Sequence, residues 1–181
     1  MRLESNDDAA IALEQLARRS PITLAQFILS LAFDSGPVGE QVRTFIVGDD
    51  LAAVSAAVRA RIGRLSDMAS RKSRHRAGAD VAQRLGFIVD AIETQVLPID
   101  PRMAFDLLVE VMQRDGEAVE ASSDCDHEVA LALERAGALI LRTAELLPAA
   151  YVQNAVGPLL ASDGYGTRRS LQALAKSRSA Q

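Results

Sequence analysis

The sequence predicts an all-α protein of eight to nine helices. Apolar residues recur at helical spacing almost throughout, no segment alternates apolar and polar residues convincingly, and Ala and Leu dominate the composition. Aromatic residues make up only 4% of the chain and Trp is absent, which favours helix over sheet. Helical units that begin after a Pro and end at a Gly occur repeatedly along the chain. We therefore expect stacked antiparallel hairpins in an irregular HEAT/TPR-like bundle. A non-repeating bundle is the alternative, because Pro and Gly punctuate any helical protein.

Five helices are predicted in the first half of the chain. They run from Asn6 to Arg18, from Thr23 to Phe33, from Pro37 to Gly48, from Asp50 to about Leu65, and from about Val81 to Val96. The boundaries rest on the breaker Ser20-Pro21, on a first-turn Pro37 and on a capping Asp49 or Asp50. The polar, basic segment Ser66 to Gly78 is predicted to be the longest connection.

The second half is predicted to contain three long helices and a short one. Asp100-Pro101 is a cap with a first-turn Pro, and Asp115-Gly116 is expected to close that helix. Ser123 and Asp126 resemble a capping box that starts a helix reaching about Leu147. The next helix begins near Pro148, Gly157-Pro158 should kink or interrupt it, and a turn at 163–166 precedes a short helix from Thr167 to Ala175. The predicted core unites seven apolar residues: Ile88, Ile92, Leu107, Leu108, Val111, Leu133 and Ile140.

Length and composition indicate one ordinary globular domain. The 181 residues are 49% hydrophobic and 24% charged, so we expect a single helical domain over 1–175 and a frayed tail over 176–181. Cys125 is the only cysteine and no apolar leader or membrane span is expected, which favours the cytoplasm. The use of Arg over Lys, together with abundant Ala, is typical of a GC-rich bacterial genome.

Two oppositely charged segments are the candidate binding sites. The basic candidates are Arg59, Arg61, Arg64, Arg71, Lys72, Arg74 and Arg76. The acidic candidates are Glu110, Asp115, Glu117, Glu120, Asp124 and Asp126. Such segments can attract a protein partner, a second copy of the chain or each other, whereas the plain alternatives are a solvated connection and helix capping.

Three further motifs contain residue types that are common at metal, catalytic or phosphate sites, but their spacing does not suit such a site. Asp124 to Glu128 brings ligand-type side chains together, but neighbours on a helix diverge by about 100° and cannot converge on one zinc ion. Cys125 and His127 diverge for the same reason, and nearby carboxylates oppose thiol activation. Gly164-Tyr165-Gly166 suits a tight turn and lacks the surroundings of a phosphate loop. No catalytic triad, Rossmann fingerprint or HExxH motif is present, so we expect a protein that is not an enzyme and uses no cofactor.

The stretch IDPRMAFDLLVEVMQRDGEAVEASSDCDHEV and the later SDGYG turn resemble an uncharacterised bacterial all-helical family, a domain of unknown function. The matching residues are Asp100, Pro101, Ala104, Leu107, Leu108, Ser122, Ser123, Asp124, Asp163, Tyr165 and Gly166. The resemblance covers roughly residues 66–174 and implies an all-helical fold. It implies no activity.

These observations lead to three functional hypotheses of different classes. The first is a non-enzymatic helical scaffold that recognises a protein partner with electrostatic contributions. The second is a nucleic-acid-binding regulator that uses the Arg-rich segment 59–84, although the net charge of −4 and the lack of interleaved aromatics weigh against it. The third is an enzyme or a small-ligand pocket between helices.

Overall fold

Helices account for most of the computed structural model, which describes residues 6–33, 36–46, 48, 50–69, 74–121, 127–172 and 174. In chain order the α-helices are α1 (Asn6–Ala17), α2 (Pro21–Ala32), α3 (Pro37–Ile46), α4 (Leu51–Ala69), α5 (Arg74–Ala91), α6 (Pro101–Gln113), α7 (Asp115–Ala121), α8 (Glu128–Ala144) and α9 (Ala149–Ala161). A π-helical segment, Ile92–Val96, continues α5, and a 3₁₀ turn, Arg169–Leu171, follows α9. Because these described residues contain no strand, the all-α fold and the helix number are confirmed.

Several helices begin at the side chains that the sequence suggests. The Asp100 carboxylate accepts a hydrogen bond from the Met103 backbone N–H at 2.9 Å, and Asp50 accepts one from Ala53 at 3.1 Å. Ser20 caps α2 by accepting from the Thr23 N–H at 3.1 Å, which lets this helix start two residues earlier than predicted. Each cap satisfies a backbone donor that has no partner within its own helix.

The predicted long connection from Ser66 to Gly78 is wrong at both of its ends. Helix α4 continues to Ala69 and α5 already begins at Arg74, so only residues 70–73 between them lie outside the described part. The segment contains no Pro, and its single Gly comes last. Arg, Ala, Met and Lys all support a helix, so polarity alone was a poor signal of a loop.

Three predicted boundaries in the second half also need correction. Helix α6 ends at Gln113, so the end predicted at Asp115-Gly116 is two residues late, and a helix that was not predicted, α7, starts at Asp115 after the single residue Arg114. Pro158 lies inside α9 without interrupting it, since the helix has only one further turn to complete after it. Helix α8 begins at Glu128, later than predicted, and the expected capping residues Ser123 and Asp126 lie outside the described residues.

The chain divides into two compact units, Met1–Arg43 and Thr44–Gln181. The second unit contains every apolar side chain of the main core, from Val54 on α4 to Leu171 on the 3₁₀ turn. Here α8 packs against both α5 and α6, and α4 packs against α7. The seven predicted core residues all belong to this cluster, so that prediction is confirmed. The repeat of stacked hairpins and the single-domain organisation stay predictions.

Candidate functional site

The basic candidates do not form one exposed surface. Arg59 donates from Nε to the Glu110 carboxylate at 2.9 Å, which joins one basic candidate to one acidic candidate within the chain. Arg61 is only 5% exposed, whereas Arg64 is exposed. Arg61 is thus not part of a surface that meets a partner, because packing around α4 covers it.

The rest of the basic segment is described only in part. Arg71 and Lys72 lie outside the described residues. The backbone of Arg74 and of Arg76 lies in the first turn of α5. Their role in binding stays a prediction.

Most of the described acidic candidates contact groups of the same chain. Glu117 pairs with Arg114 at 2.7 Å, and Glu120 accepts a short hydrogen bond from the Tyr165 hydroxyl. That carboxylate raises the pKa of Tyr165, because it stabilises the protonated phenol. Asp124 and Asp126 lie outside the described residues. Contacts within the chain therefore account for the described acidic residues at least as well as binding to a partner does.

Asp115 is a buried residue rather than an acidic surface group. Its carboxylate receives both a 2.8 Å hydrogen bond from Arg168 Nε and a 2.6 Å one from Arg168 Nη2. Both side chains are 4% exposed, and the Thr167 hydroxyl also donates to Asp115. A charge this deeply buried is stable only when paired, so Asp115 is removed from the predicted binding surface.

A groove lies next to this ion pair, between the start of α8 and the turn that precedes the 3₁₀ segment. It has a volume of about 720 Å³ and is lined by His127, Ala130, Glu134, Tyr165, Gly166, Thr167, Arg169 and Ser170. Gly166 has φ +69°, so the turn predicted at 163–166 depends on a residue without a side chain. His127 also adopts a left-handed conformation, with φ 56°, which is uncommon for a residue other than Gly. Strained backbone of this kind is concentrated at functional sites.

The unit Met1–Arg43 contains six large apolar side chains that are exposed and close together in sequence. We call them the N-terminal apolar surface: Ile11, Leu16, Ile22, Phe27, Leu29 and Phe33, which are between 48% and 89% exposed. Helix α2 contains no buried residue, although eight of its twelve residues are Ala, Ile, Leu or Phe and none is charged. Among the described side chains of this unit none is buried.

The spacing of the apolar residues in α2 carries a signal of this surface that the sequence-based prediction did not use. The apolar face that the sequence predicts for α2 contains Leu24, Phe27, Ile28 and Leu31. Leu24, Ile28 and Leu31 are half-buried, but Phe27 is 58% exposed. Ile22, Leu29 and Phe33 follow a second stripe, at spacings of seven and four residues, and this stripe is exposed. A helix that is apolar on all sides is normally buried, which should have indicated a missing partner.

The described helices are each too short or too polar to cross a membrane. Comparison with protein-family models, with curated proteins and with solved structures finds no match to this chain. The resemblance to a bacterial helical family therefore stays a prediction. The described residues define an all-α protein.

Proposed function

We propose that the protein is a non-enzymatic helical scaffold that binds a protein partner through the N-terminal apolar surface. One observation carries the proposal: no described side chain of the unit Met1–Arg43 is buried, although six large apolar side chains lie there. Burying one such side chain contributes roughly 1.5–3 kcal/mol, so six exposed side chains leave unused an energy comparable to the stability of a domain. A protein surface that covers them recovers part of this energy, because association itself costs free energy.

Charge plays a smaller part in this proposal than the sequence suggested. Arg59 and Glu110 pair with each other, and Asp115 pairs with Arg168 in the interior. Arg64 on α4 is exposed, and an exposed ion pair contributes only about 0–1 kcal/mol. Electrostatic contributions from Arg71, Lys72 and their neighbours would adjust the rate and specificity of binding more than its strength.

A photo-crosslinking residue at position 27 tests the proposal. With a benzophenone side chain in place of Phe27, we expect covalent adducts with another polypeptide chain when the protein is irradiated in cells. Leu131 on α8 is the matched control, because its side chain is 61% exposed and that of Phe27 is 58% exposed. The proposal fails if position 27 gives only products within its own chain, or gives no more adducts than position 131.

The groove beside α8 favours a second candidate function, the binding of a small ligand. Arg169 and Glu134 line it together with His127, and no hydrogen bond or ion pair engages these three side chains within the described residues. A volume of about 720 Å³ is typical of small-molecule sites. A guanidinium and a carboxylate in one groove suit a ligand with both a carboxylate and an amine, such as an α-amino acid.

Thermal unfolding in the presence of amino acids tests this second candidate. Free amino acids should raise the Tm of the protein, whereas acetate and methylammonium, which carry one charge each, should not. Arg169→Ala and Glu134→Gln should each abolish the rise. If the rise persists in both variants, the groove is not the binding site.

A further inference from the structure

From the packing of the groove wall against α8, we infer that Gly137 is a positioning residue for ligand binding in the groove. Because Gly137 has no side chain, the hydroxyl of Ser170 lies back against α8 and leaves the groove open. This inference rests on the second candidate function, the binding of a small ligand, and adds a residue outside the groove that controls it.

One short stretch of chain forms most of the groove wall. Five of the eight described lining residues belong to it: Tyr165, Gly166, Thr167, Arg169 and Ser170. The other three are His127, Ala130 and Glu134. The 3₁₀ turn Arg169–Leu171 packs against α8, so the shape of the groove depends on how closely this stretch approaches that helix.

Gly137 lies directly behind this wall. It follows Ala130 and Glu134 on the same face of α8, at spacings of seven and three residues, but it is buried. A Cβ atom at position 137 would lie 2.6 Å from the Ser170 Oγ, which is too close, and 3.8 Å from the Ser170 Cβ, which is an ordinary contact. Among the described residues, only the hydroxyl oxygen of Ser170 therefore conflicts with a side chain at this position.

The backbone of α8 gives no separate reason for a glycine at position 137. The φ angle of Gly137 is not positive, unlike those of Gly48 and Gly166. A glycine in the interior of a helix destabilises that helix relative to alanine. The missing side chain therefore serves the close approach of Ser170 to α8.

The backbone on both sides of Ser170 is held in place, so an added methyl group at position 137 has to move the Ser170 side chain. Arg168 is bonded in the interior to Asp115 and to the Met112 carbonyl. Leu171 is fully buried. Ser170 itself is exposed, and rotation about its Cα–Cβ bond removes the conflict. The hydroxyl then leaves α8 and enters the groove, where it takes up space that the ligand needs.

Calorimetric titration of Gly137→Ala tests the inference. The probes are the free α-amino acids, added singly, and the one that raises the Tm of the wild type most is titrated. Its Kd should increase about tenfold in Gly137→Ala, the order of effect that one misplaced group has in a ligand pocket. The Tm without amino acid should not fall, because alanine favours the helix.

Gly63→Ala is the matched control. Gly63 lies inside α4, and a Cβ atom added there would meet no described neighbour within 4 Å. The Kd of this variant should therefore equal that of the wild type. Equal weakening by Gly63→Ala and Gly137→Ala would attribute the loss to the helices in general and would overturn the inference.

Ser170→Ala shows whether the effect passes through Ser170. This change removes the Oγ that the added methyl group would meet, so Gly137→Ala/Ser170→Ala should bind the amino acid as tightly as Ser170→Ala alone. A role of Gly137 in packing alone would leave the tenfold loss in place. That result, or a Gly137→Ala protein that binds as tightly as the wild type, overturns this inference and leaves the second candidate function standing.

Two other outcomes are decisive. A Gly137→Ala protein that does not fold overturns the inference, because Ser170 is then unable to turn away from α8. If no amino acid raises the Tm of the wild type, the second candidate function fails and this inference fails with it.

Discussion

At the scale of single residues, Arg168 joins the three helices around it. Its guanidinium donates to Asp115 on α7, to the Met112 carbonyl on α6 at 2.8 Å and to the Leu159 carbonyl on α9. A further 2.8 Å bond from Nη1 reaches the Ser162 hydroxyl. Because carbonyls near helix ends lack partners inside their own helix, this one side chain satisfies acceptors that burial would otherwise leave without a donor.

Asp115→Ala should therefore destabilise the fold strongly. The change leaves the Arg168 charge buried without its carboxylate, and breaking one side of a buried ion pair costs about 3–5 kcal/mol. Urea unfolding followed by circular dichroism measures the loss. Glu117→Ala, which breaks the exposed Arg114–Glu117 pair, is the control and should change the free energy of unfolding by at most about 1 kcal/mol. Equal effects of the two variants would contradict the assigned role.

Glu93 introduces a dependence of stability on pH. A hydrogen bond from Arg135, at 2.8 Å, is the main cause that lowers the pKa of Glu93 below its ordinary value of 4.5, with Arg142 contributing at 3.0 Å. A carboxyl whose pKa is lower in the folded state stabilises the fold above the unfolded pKa, and this contribution is lost as pH falls through the folded value.

Glu93→Gln should accordingly lower the Tm of the protein at neutral pH, and the difference from the wild type should shrink once the pH falls below 4.5. Thermal unfolding between neutral and acid pH measures this. Glu145→Gln, at an exposed carboxylate without an ion pair among the described residues, should show no such convergence. A difference for Glu93→Gln that stays constant with pH would contradict the linkage.

At the scale of elements, α6 and α8 form the centre of the core. Their inward faces contain Leu107, Leu108 and Val111 on α6, and Leu133 and Ile140 on α8, all at most 1% exposed. Helix α5 completes this arrangement, and its continuation into the π-helical segment buries both Ile92 and Val96. The Leu97 N–H bonds to the Ile92 carbonyl at 2.9 Å, five residues back, which is the signature of a π turn.

Leu108→Ala should lower the free energy of unfolding by about 2–5 kcal/mol, because it removes buried methyl groups and leaves a cavity between packed helices. Leu131→Ala is the matched control on α8. Its side chain is 61% exposed, so the same truncation should change stability by no more than about 0.5 kcal/mol. Denaturant unfolding of both variants checks the assignment of the two helix faces.

At the scale of the whole molecule, the core and the proposed binding surface belong to different units. All buried apolar side chains of the core lie between Val54 and Leu171, whereas the N-terminal apolar surface ends at Phe33. A chain that starts at Gly48, and so keeps the Asp50 cap of α4, should stay helical and unfold cooperatively. It should also lose the protein partner, as a pull-down from cells with the full-length chain as control would show. A shortened chain that cannot fold would mean that residues before Gly48 contribute to the core.

The sequence by itself determined the helical class, the cap at Asp100, a cap at Asp49 or Asp50, the turn at 163–166 and the seven core residues. These features depend on local backbone chemistry and on periodicity, which can be read one segment at a time. Tertiary structure alone decided that Asp115 is buried beside Arg168, that Arg59 meets Glu110, and that α2 is exposed. Each of these depends on which distant segment lies opposite: Asp115 and Arg168 are 53 positions apart, and Arg59 and Glu110 are 51 apart. The sequence shows that a residue is charged, but it does not show whether water or an arginine surrounds that residue. Only the packed chain therefore distinguishes a carboxylate that stabilises the fold from one that binds a partner.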